Sequence, residues 1–274
     1  MPELPEVETI ARGLRQQIFD KKIIDCKINY EGIIEYPPEH KFRKKMKDTY
    51  IDEIKRRGKY LIIRLSGGSD LIFHLGMTGK LLVKSDKEKV DKHTHLIVKL
   101  NDNKELRFNN IRKFGRVYLV KSREWEKAGG LSRLGPEPLS DDFTLEIFKN
   151  GFKNRTTYIK SLLLKQDFIA GLGNIYTDEA LFEAGIAPDR RSNTLSEEEK
   201  ENLYKAIIKI LEKGIKYCGT SFSDYVDSNG VPGSFQDKLK VYGQEGENCP
   251  FCDEKIIKEK IGGRSSHYCP KCQN

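Results

Sequence analysis

Four cysteines near the C-terminus have the spacing of a metal site. The pattern C-x2-C-x16-C-x2-C is formed by Cys249, Cys252, Cys269 and Cys272. Four thiolates from two such turns make the closed tetrahedral sulfur cage that Zn²⁺ accepts, and no ligand position stays open for catalysis. We therefore predict one structural Zn²⁺, with an iron–sulfur cluster as the alternative. Cys26 and Cys218 are expected to be ordinary thiols.

The N-terminus carries a second group that could do chemistry. Pro2 follows Met1, and removal of Met1 would expose the secondary amine of proline. A neutral α-amine is a nucleophile, since its reference pKa is about 8, and the positive end of a helix favours the neutral form further. Such an amine can attack an electrophilic sugar carbon and form an imine. Glu3 and Glu6 could act as acid or base, although acidic residues in a first helical turn are also simple dipole partners.

Positive charge is concentrated in two stretches of the chain. The chain has 49 Lys+Arg against 41 Asp+Glu, a formal charge of +8. Residues 41–64 hold ten Lys/Arg and three acids, and the stretch 153–165 holds four basic residues and no acid. A basic surplus favours an anionic partner, although each stretch taken alone also fits a solvated face.

The hydrophobic periodicity predicts the elements that must position these residues. Apolar residues recur every three or four positions from Val7 to Ile18, which predicts an amphipathic helix near the N-terminus. From about residue 22, short β-branched or aliphatic segments separated by Gly, Asn and Asp predict a sandwich or barrel of roughly six to eight strands. A stretch rich in Gly and Pro follows, and we place a domain boundary near residue 135.

The second half of the chain is predicted to be helical. A 3.6-residue period covers the segments 143–150, 157–164, 174–184 and 196–217. Ser196 and Glu199 form a capping box for the last segment. Residues 218–236 carry no period, and because a loop of this length is usually functional or mobile, we interpret it as a lid. The segment between the two pairs of metal-site cysteines is predicted to be a β-hairpin, with Arg264 at its turn after two glycines.

Composition excludes several classes of protein. With 37% hydrophobic and 33% charged residues, the chain can build cores inside a highly charged surface, so long disorder is a poor fit. Its longest apolar run is four residues, whereas a membrane-spanning helix needs roughly 20. The acidic, Pro-rich N-terminus does not match a secretory signal. We therefore expect a reducing compartment, which favours metal binding over disulfides for the cysteines.

Together these motifs resemble those of the bacterial formamidopyrimidine-DNA glycosylase family. The matching segments occur in family order from Pro2 to Gln273: PELPEVE, RRGKYL, HLGMTGK, IRKFG, LGPEPL, AGLGNIYTDEALF and GGRSSHYCPKCQ. The resemblance implies a bifunctional base excision repair enzyme that removes oxidised purines, such as 8-oxoguanine and formamidopyrimidines, and cleaves the strand by β,δ-elimination. It implies double-stranded DNA with an oxidised purine or an abasic site as partner, and a monomer in the bacterial cytoplasm, associated with the nucleoid and not with a membrane.

The resemblance also implies an α+β fold in three parts. Residues 1–134 are expected to form an N-terminal helix plus a two-sheet antiparallel β-sandwich, the catalytic domain. Residues 135–236 are expected to form a helical DNA-binding domain with a helix-two-turns-helix element, including the lesion loop at 218–236. Residues 237–274 are expected to form the four-cysteine zinc finger.

Four residues receive catalytic roles by this resemblance, and Glu6 remains a candidate acid or base from its place beside Pro2 alone. Pro2 corresponds to the nucleophile at the sugar C1′, and Glu3 to the acid that assists opening of the sugar ring. Lys59 corresponds to the proton donor in β-elimination, which also contacts a phosphate. Arg264 corresponds to the residue that serves δ-elimination and grips the phosphates flanking the lesion.

The remaining residues implied by the resemblance contact DNA. Met77, Arg112 and Phe114 match the residues that fill the gap left by an extruded base, and the planar donor fork of Arg112 suits the orphaned cytosine. Asn174 opens a helix whose N-terminal amides can hold a backbone phosphate. The other expected DNA contacts are His74, His93, Lys153, Arg155, Lys160, Tyr242 and Lys258.

Two alternatives to this function stay open. An endonuclease VIII-type glycosylase uses the same N-terminal proline on oxidised pyrimidines, and a non-catalytic zinc protein would only bind or bend DNA. Leu4, where the endonuclease VIII group usually has Gly, favours the purine enzyme. The chain also departs from the common family pattern at Thr94 and Asn110, where Asp is frequent, and at Cys218, where Gly is frequent.

Overall fold

The structure, a computed structural model, describes residues 1–222 and 224–274 and contains two compact units. The first unit consists of Met1–Ser132 and Tyr217–Ser234, and the second of Arg133–Lys216 and Phe235–Asn274. The sequence places the boundary near residue 135 but assigns the loop at 218–236 to the helical part. Most of this loop instead packs with the first unit, because its Tyr225 is buried in that unit's core.

The first unit is built from one helix and two sheets. Helix α1 spans Leu4–Ile18, and its apolar stripe, including Val7, Ile10 and Leu14, is fully buried. The strands formed by the described residues of the unit, in chain order, are β1 (Ile23–Ile28), β2 (Ile34–Tyr36), β3 (Ile51–Arg57), β4 (Tyr60–Leu65), β5 (Ser69–His74), β6 (Gly79–Ser85), β7 (Thr94–Leu100), β8 (Lys104–Asn110) and β9 (Arg116–Lys121).

The strands pair into a β-sandwich around a shared core. One sheet has the order β1-β7-β8-β6 and the other the order β2-β9-β5-β4-β3. Every pair is antiparallel except β2 with β9, which is parallel. Side chains of both sheets, such as Phe73 and Phe108, meet edge to face in the core, with ring centroids 5.4 Å apart. Helix α1 packs against β3, β4 and β6.

A second helix of this unit, α2, spans Glu39–Met46 in a region that the sequence predicts to be strands. Its only buried residues are Phe42 and Met46, four positions apart, and its basic residues face solvent. Because two apolar residues do not establish a period, the pattern carried no helix signal. Part of the positive charge of residues 41–64 therefore lies on the outer face of this helix.

The second unit is helical with a C-terminal hairpin, as the sequence predicts. Its helices are α3 (Leu145–Asn150), α4 (Ile159–Leu163), α5 (Asn174–Ala184) and α6 (Glu197–Lys216), and its hairpin consists of β10 (Ile257–Ile261) and β11 (Arg264–Tyr268). The predicted capping box is confirmed, since Glu199 N–H donates to the Ser196 hydroxyl at 3.1 Å and Ser196 N–H donates to the Glu199 carboxylate at 2.7 Å. Helix α5 packs against α6 and β11. The predicted α+β fold class is thus confirmed.

None of the helices within residues 1–222 and 224–274 combines the length and the apolar character needed to cross a bilayer. The longest of them, α6, presents charged residues along one side, as its sequence EEEKENLYKAIIKILEKGIK shows.

Candidate functional site

At the N-terminus, Pro2 lies next to two buried acids, Glu3 and Glu6, at the start of helix α1. Pro2 is buried just before the N-cap residue Glu3, and Glu3 and Glu6 are 3% and 2% exposed. Glu6 Oε2 accepts a hydrogen bond from the Glu3 backbone N–H at 2.7 Å, and the two residues form a capping box at the helix start. This bond fixes the backbone immediately after Pro2.

The same carboxylate anchors the loop at 217–234. Glu6 Oε1 accepts a hydrogen bond from the Thr220 backbone N–H at 2.7 Å. The Tyr225 hydroxyl donates to the carbonyl oxygens of Cys218 at 3.0 Å and of Glu6 at 3.4 Å. Burial, reinforced by the charge of Glu6, raises the pKa of the Tyr225 phenol, so its hydroxyl keeps its proton. With an N–H donor on each oxygen, Glu6 is placed as an acceptor that links the loop to the N-terminal turn.

Further along, the loop at 217–234 packs on helix α1. Ser228 is fully buried, and its hydroxyl oxygen accepts a hydrogen bond from Gln17 Nε2 at 2.7 Å. Its carbonyl accepts a hydrogen bond from the Val83 N–H at 3.1 Å. The loop is therefore held at two points along α1, one of them at the turn that carries Pro2.

Lys59 lies in the tight turn between β3 and β4, where Arg57 pairs with Tyr60. Its side chain is largely buried, at 7% exposure. Glu8 of α1 fastens this end of β3 to the helix through an ion pair of 3.1 Å with Arg56. Burial alone would raise the pKa of Glu8, but the hydrogen bond from Arg12 and the nearby guanidinium charges hold it below its usual value, so the pair stays ionised.

His74 ends β5 beside the same turn. Its ring centroid lies 4.9 Å from that of Tyr60. Burial, and then the positive charges of Lys59 and Arg116, lower the pKa of His74 to about 4. At neutral pH His74 is therefore an uncharged imidazole, which can offer a phosphate a hydrogen bond but no positive charge.

Met77, Arg112 and Phe114 lie in two adjoining connections, one between β5 and β6 and one between β8 and β9. Met77 is 41% exposed and Phe114 is 51% exposed. The Arg112 guanidinium carbon lies 5.2 Å from the Phe114 ring centroid, within cation–π range. Large apolar side chains that stand out of a sandwich in this way are available to a partner.

His93 lies in the turn before β7 and is half-buried. Its backbone N–H donates to Asp91 Oδ1 at 2.7 Å, and the Asn109 side chain donates to the same oxygen at 2.7 Å. The carboxylate of Asp91 thus fixes the backbone that presents His93.

The second unit holds the other expected DNA contacts on α5 and around it. Asn174 is the first residue of α5, and its Nδ2 donates to the Ser265 carbonyl at 2.9 Å. Lys153 is exposed, whereas the guanidinium of Arg155 lies 3.8 Å from Asp167 and 5.5 Å from the centre of a phenylalanine ring. Lys153 is therefore open to a phosphate, whereas the side chains of Arg155 and Asn174 already contact other groups of the protein.

The expectation that Lys160 contacts DNA directly is not supported by its position. Its side chain has no exposed surface, and its Nζ lies 2.6 Å from an Asp178 carboxylate oxygen. The same Nζ donates to the Ser265 carbonyl at 2.6 Å. A buried ammonium needs such partners to offset its desolvation. Lys160 therefore joins α4 to strand β11 in this structure rather than facing a phosphate.

Two acids that the sequence reasoning missed lie next to each other on α5. Asp178 accepts the His267 backbone N–H at 3.0 Å, and Glu179 accepts the backbone N–H groups of residues 240–242 at 2.9 to 3.0 Å. Burial raises the pKa of Glu179 against the effect of these donors. The signal was present, because a helix with apolar residues all around its circumference is buried, and acids within it then need hydrogen-bond partners. Through this contact Glu179 fixes the backbone of Tyr242, whose ring lies 4.9 Å from that of His267.

The four cysteines of the predicted metal site come together. Their sulfur atoms all lie within 4.8 Å of one another, and three of the separations are 3.2, 3.5 and 3.8 Å. A tetrahedron with Zn–S bonds of about 2.3 Å has edges of about 3.8 Å, so the donor set and its spacing fit Zn²⁺. Cys249 and Cys269 pack against Phe182, Val241 and Ile256. The cluster is the site of one structural zinc ion that closes the C-terminal module.

The other two cysteines lie apart from this cluster. Cys26 is buried in the sandwich core, and burial raises the pKa of its thiol to about 11. Cys218 is exposed at the start of the loop.

The hairpin of this module presents Arg264 at its turn. Gly262 and Gly263 form the two-residue connection, and Arg264 is exposed as the first residue of β11. On the neighbouring strand, Lys258 Nζ lies 2.9 Å from Glu245 Oε1, an exposed ion pair.

Three family models match the chain in order. The formamidopyrimidine-DNA glycosylase N-terminal domain matches residues 1–117, the helix-two-turns-helix (H2TH) domain of the same glycosylase matches residues 134–226, and a zinc finger found in this glycosylase and in an isoleucyl-tRNA synthetase matches residues 246–274.

Curated relatives match over full length. The formamidopyrimidine-DNA glycosylase of Carboxydothermus hydrogenoformans is 48% identical over 273 residues, and that of Desulfitobacterium hafniense is 45% identical over 273 residues. In both cases the match covers 100% of each chain.

Solved structures of the Lactococcus lactis protein are similar throughout. A complex with an abasic-site DNA has a TM-score of 0.92 and 38% identity and covers 99% of each chain. Complexes with a Fapy-dG containing DNA and with an oxidised-pyrimidine containing DNA have TM-scores of 0.93 and 0.92, at 38% identity and 100% coverage of each chain. The chain therefore belongs to the formamidopyrimidine-DNA glycosylase family, enzymes of the base excision repair of oxidised bases.

Proposed function

We propose that this protein excises oxidised purines, among them 8-oxoguanine and formamidopyrimidines, from duplex DNA and then cleaves the strand by β,δ-elimination. The observation that carries the proposal is the burial of Pro2 in a turn held by Glu6, with Glu3 beside it. A nucleophile and an acid in one water-poor turn are the groups that an imine-forming glycosylase needs.

The first step joins the N-terminal amine to the sugar. After removal of Met1, the lone pair of the Pro2 nitrogen attacks C1′ while the bond from C1′ to the base breaks and the base leaves with a proton. Glu3 gives a proton to the ring oxygen as the sugar opens. The product is a Pro2 iminium on the abasic sugar, the electron sink for the steps that follow.

The strand is then cleaved on both sides of the sugar. Loss of a proton from C2′ expels the 3′ phosphate in β-elimination, and Lys59 acts as proton donor in this step. A second elimination expels the 5′ phosphate, with Arg264 holding the flanking phosphates. The imidazole of His74, which is uncharged at neutral pH, adds no positive charge of its own beside Lys59.

Glu6 is proposed as a positioning residue for this chemistry. Both of its oxygens already accept backbone N–H groups, from Glu3 and Thr220. The pairing supports a role in setting the nucleophile and the loop relative to each other, in place of the acid or base role inferred from sequence.

The partner that we propose is duplex DNA carrying an oxidised purine or an abasic site, in the bacterial cytoplasm, bound by a monomer. The formal charge of +8 supports an anionic partner. The Lactococcus lactis relative was solved with Fapy-dG DNA and with abasic-site DNA, and these complexes support the same class of ligand here.

Borohydride trapping on a duplex containing 8-oxoguanine tests the proposal. We expect a covalent adduct with the wild-type protein and a strongly reduced one with Pro2→Gly, whose primary amine lacks the proline ring. Pro5→Ala, in the same helical turn, is the matched control and should still be trapped. Absence of an adduct on any lesion, with binding retained, would favour a non-catalytic DNA-binding protein instead.

The role of Arg264 has a separate test on a duplex with a preformed abasic site. Arg264→Ala should slow the second elimination more than the first, so that the β-elimination product accumulates. Equal slowing of both eliminations would contradict a specific role in the δ step.

Oxidised pyrimidines are the second candidate substrate, because a structure of the Lactococcus lactis relative contains an oxidised-pyrimidine DNA. Single-turnover excision from matched purine and pyrimidine lesion duplexes discriminates the two. Faster excision of the pyrimidine lesion would favour the endonuclease VIII-type activity over our proposal.

A further inference from the structure

A buried amide holds the connection between β5 and β6. Asn110, the last residue of β8, has no exposed surface. Its Nδ2 donates to the Leu75 carbonyl at 3.1 Å, and its Oδ1 accepts the Thr78 hydroxyl at 3.3 Å. Both polar atoms of this side chain are therefore used to hold the turn that carries Met77.

The same hydrogen bonds continue into the connection between β8 and β9. The Thr78 hydroxyl oxygen accepts the Arg112 backbone N–H at 3.1 Å. The Asn110 carbonyl accepts the Lys113 N–H at 3.3 Å. A continuous path of hydrogen bonds thus runs from Leu75 through Asn110 and Thr78 to Arg112.

The backbones of the two connections are also in direct contact. A Cβ on Gly76 would lie 2.7 Å from both the Phe114 carbonyl carbon and the Gly115 backbone nitrogen. Real Cβ atoms do not approach other atoms so closely, so no side chain fits between the connections.

We infer that Asn110 and Thr78 are positioning residues that make Met77, Arg112 and Phe114 enter the duplex as one body. The inference rests on the proposed function. Met77 and Phe114 are themselves exposed, so their spacing is set chiefly by the backbones that carry them. A rigid three-residue wedge fills the gap of an extruded base in one geometry, whereas two uncoupled loops would fill it in several.

The choice of an amide at position 110 follows from the two bonds it makes. An amide donates to the Leu75 carbonyl and accepts from the Thr78 hydroxyl at the same time. An alanine there removes both bonds: the Leu75 carbonyl keeps only the Gly79 N–H, and the Thr78 hydroxyl loses its acceptor while still accepting the Arg112 N–H. A valine at position 78 breaks the link to Arg112 while keeping the size of the side chain.

The test uses the full chain and a duplex with a tetrahydrofuran abasic analogue opposite 2-aminopurine. Unstacking of 2-aminopurine reports entry of the three side chains without any catalysis. We expect Asn110→Ala and Thr78→Val to bind this duplex roughly tenfold more weakly and to lose most of the fluorescence rise, with affinity for undamaged duplex changed less than about twofold. A loss that is equal for both duplexes would overturn the inference.

A double-mutant comparison separates positioning from general damage. Met77→Ala should weaken lesion binding in the wild-type background and have a much smaller effect in Asn110→Ala, because Met77 is already displaced there. Effects that multiply independently would show that Asn110 does not act through Met77.

Asp70→Asn is the matched control for lost stability. Asp70 is fully buried at the other end of β5, where it accepts hydrogen bonds from Trp125 at 2.9 Å and Arg64 at 3.2 Å. The Asp70→Asn substitution should destabilise the fold and leave the ratio of the affinities for lesion and undamaged duplexes unchanged. A change in this ratio would overturn the inference. Failure of the wild-type protein to prefer the lesion duplex would instead contradict the proposed function itself.

Discussion

The carboxylate of Glu6 accepts one backbone N–H on each oxygen, from Glu3 and from Thr220. Glu6→Gln keeps the shape but turns one acceptor into a donor that faces an N–H group. We expect a loss of about 1–3 kcal/mol in the free energy of unfolding, the cost of a buried unpaired group. Base excision should slow more than strand cleavage at a preformed abasic site, because the amide oxygen keeps the Glu3 N–H of its own helical turn and the amide nitrogen then faces the Thr220 N–H of the loop. Urea denaturation and single-turnover rates on the two duplexes measure these effects.

Glu198→Gln is the control for this change. Glu198 is an exposed glutamate in the first turn of α6, so the same substitution there should change neither quantity measurably. Equal slowing of excision and of abasic-site cleavage by Glu6→Gln would contradict a role through the loop.

His74 is expected to make stability depend on pH. Its pKa is lowered to about 4 in the folded chain, against an ordinary value of about 6.5 in the unfolded chain. The unfolded chain therefore binds the proton first, and the stability present above pH 6.5 is lost as the pH falls towards 4, by about 3 kcal/mol in all. Urea denaturation from pH 7 to 4.5 should show this loss, and His74→Gln should reduce the slope. An unchanged slope in the variant would contradict the assignment.

The chemistry of single residues could be predicted from sequence where spacing determines it. The four cysteines are an example, since their separation alone defines a tetrahedral site. Glu6, Asn110 and Lys160 are different, because their functions depend on partners distant in the chain, such as Thr220 for Glu6 and Asp178 for Lys160. No local pattern indicates which long-range partner a polar side chain will meet, so burial of Lys160 could not be foreseen.

At the scale of elements, the hairpin turn before Arg264 depends on two glycines that differ in their surroundings. Both have positive φ, 57° for Gly262 and 81° for Gly263. A Cβ on Gly262 would lie 2.0 Å from the Ser161 hydroxyl oxygen, whereas a Cβ on Gly263 meets no atom within 4 Å. Gly263→Ala therefore adds backbone strain only, and Gly262→Ala adds a collision with α4 as well.

We expect Gly262→Ala to weaken binding of an abasic-analogue duplex at least about fivefold more than Gly263→Ala, because the collision displaces the hairpin and strain alone costs only about 1–2 kcal/mol. Fluorescence anisotropy of a labelled duplex measures both affinities, and zinc content measured alongside should stay at one ion per chain. Equal effects of the two variants would show that the contact with α4 does not position the turn.

The elements were predictable where apolar residues repeat, as in α1 and α6. Helix α2 was not predicted, because Phe42 and Met46 are its only buried residues and two residues do not establish a period. The loop at 217–234 was recognised as a separate segment, but its docking on α1 through Ser228 and Tyr225 depends on hydrogen bonds to residues about 200 positions earlier. The absence of hydrophobic periodicity identifies a loop, but it does not predict the surface on which the loop packs.

At the scale of the whole molecule, the basic residues behind the formal charge of +8 differ in whether they can reach DNA. Some basic groups are already paired within the protein, such as Lys160 with Asp178 in the interior and Arg56 with Glu8. Others are exposed at turns, such as Arg264. Only the exposed groups can release counterions from a phosphate on binding, so the number of exposed basic groups that meet phosphates, and not the net charge, sets the electrostatic part of DNA affinity.

The salt dependence of binding should therefore distinguish these groups. For a duplex with an abasic analogue, the slope of log affinity against log salt should fall in magnitude by about 1 in Arg264→Ala. Lys258→Ala should change it by less, because Lys258 must first leave its 2.9 Å ion pair with Glu245. Lys121→Ala is the control, an exposed lysine on β9 that is not among the expected DNA contacts, and its slope should match the wild type. A slope reduced equally by all three substitutions would mean that total charge, and not individual phosphate contacts, governs affinity.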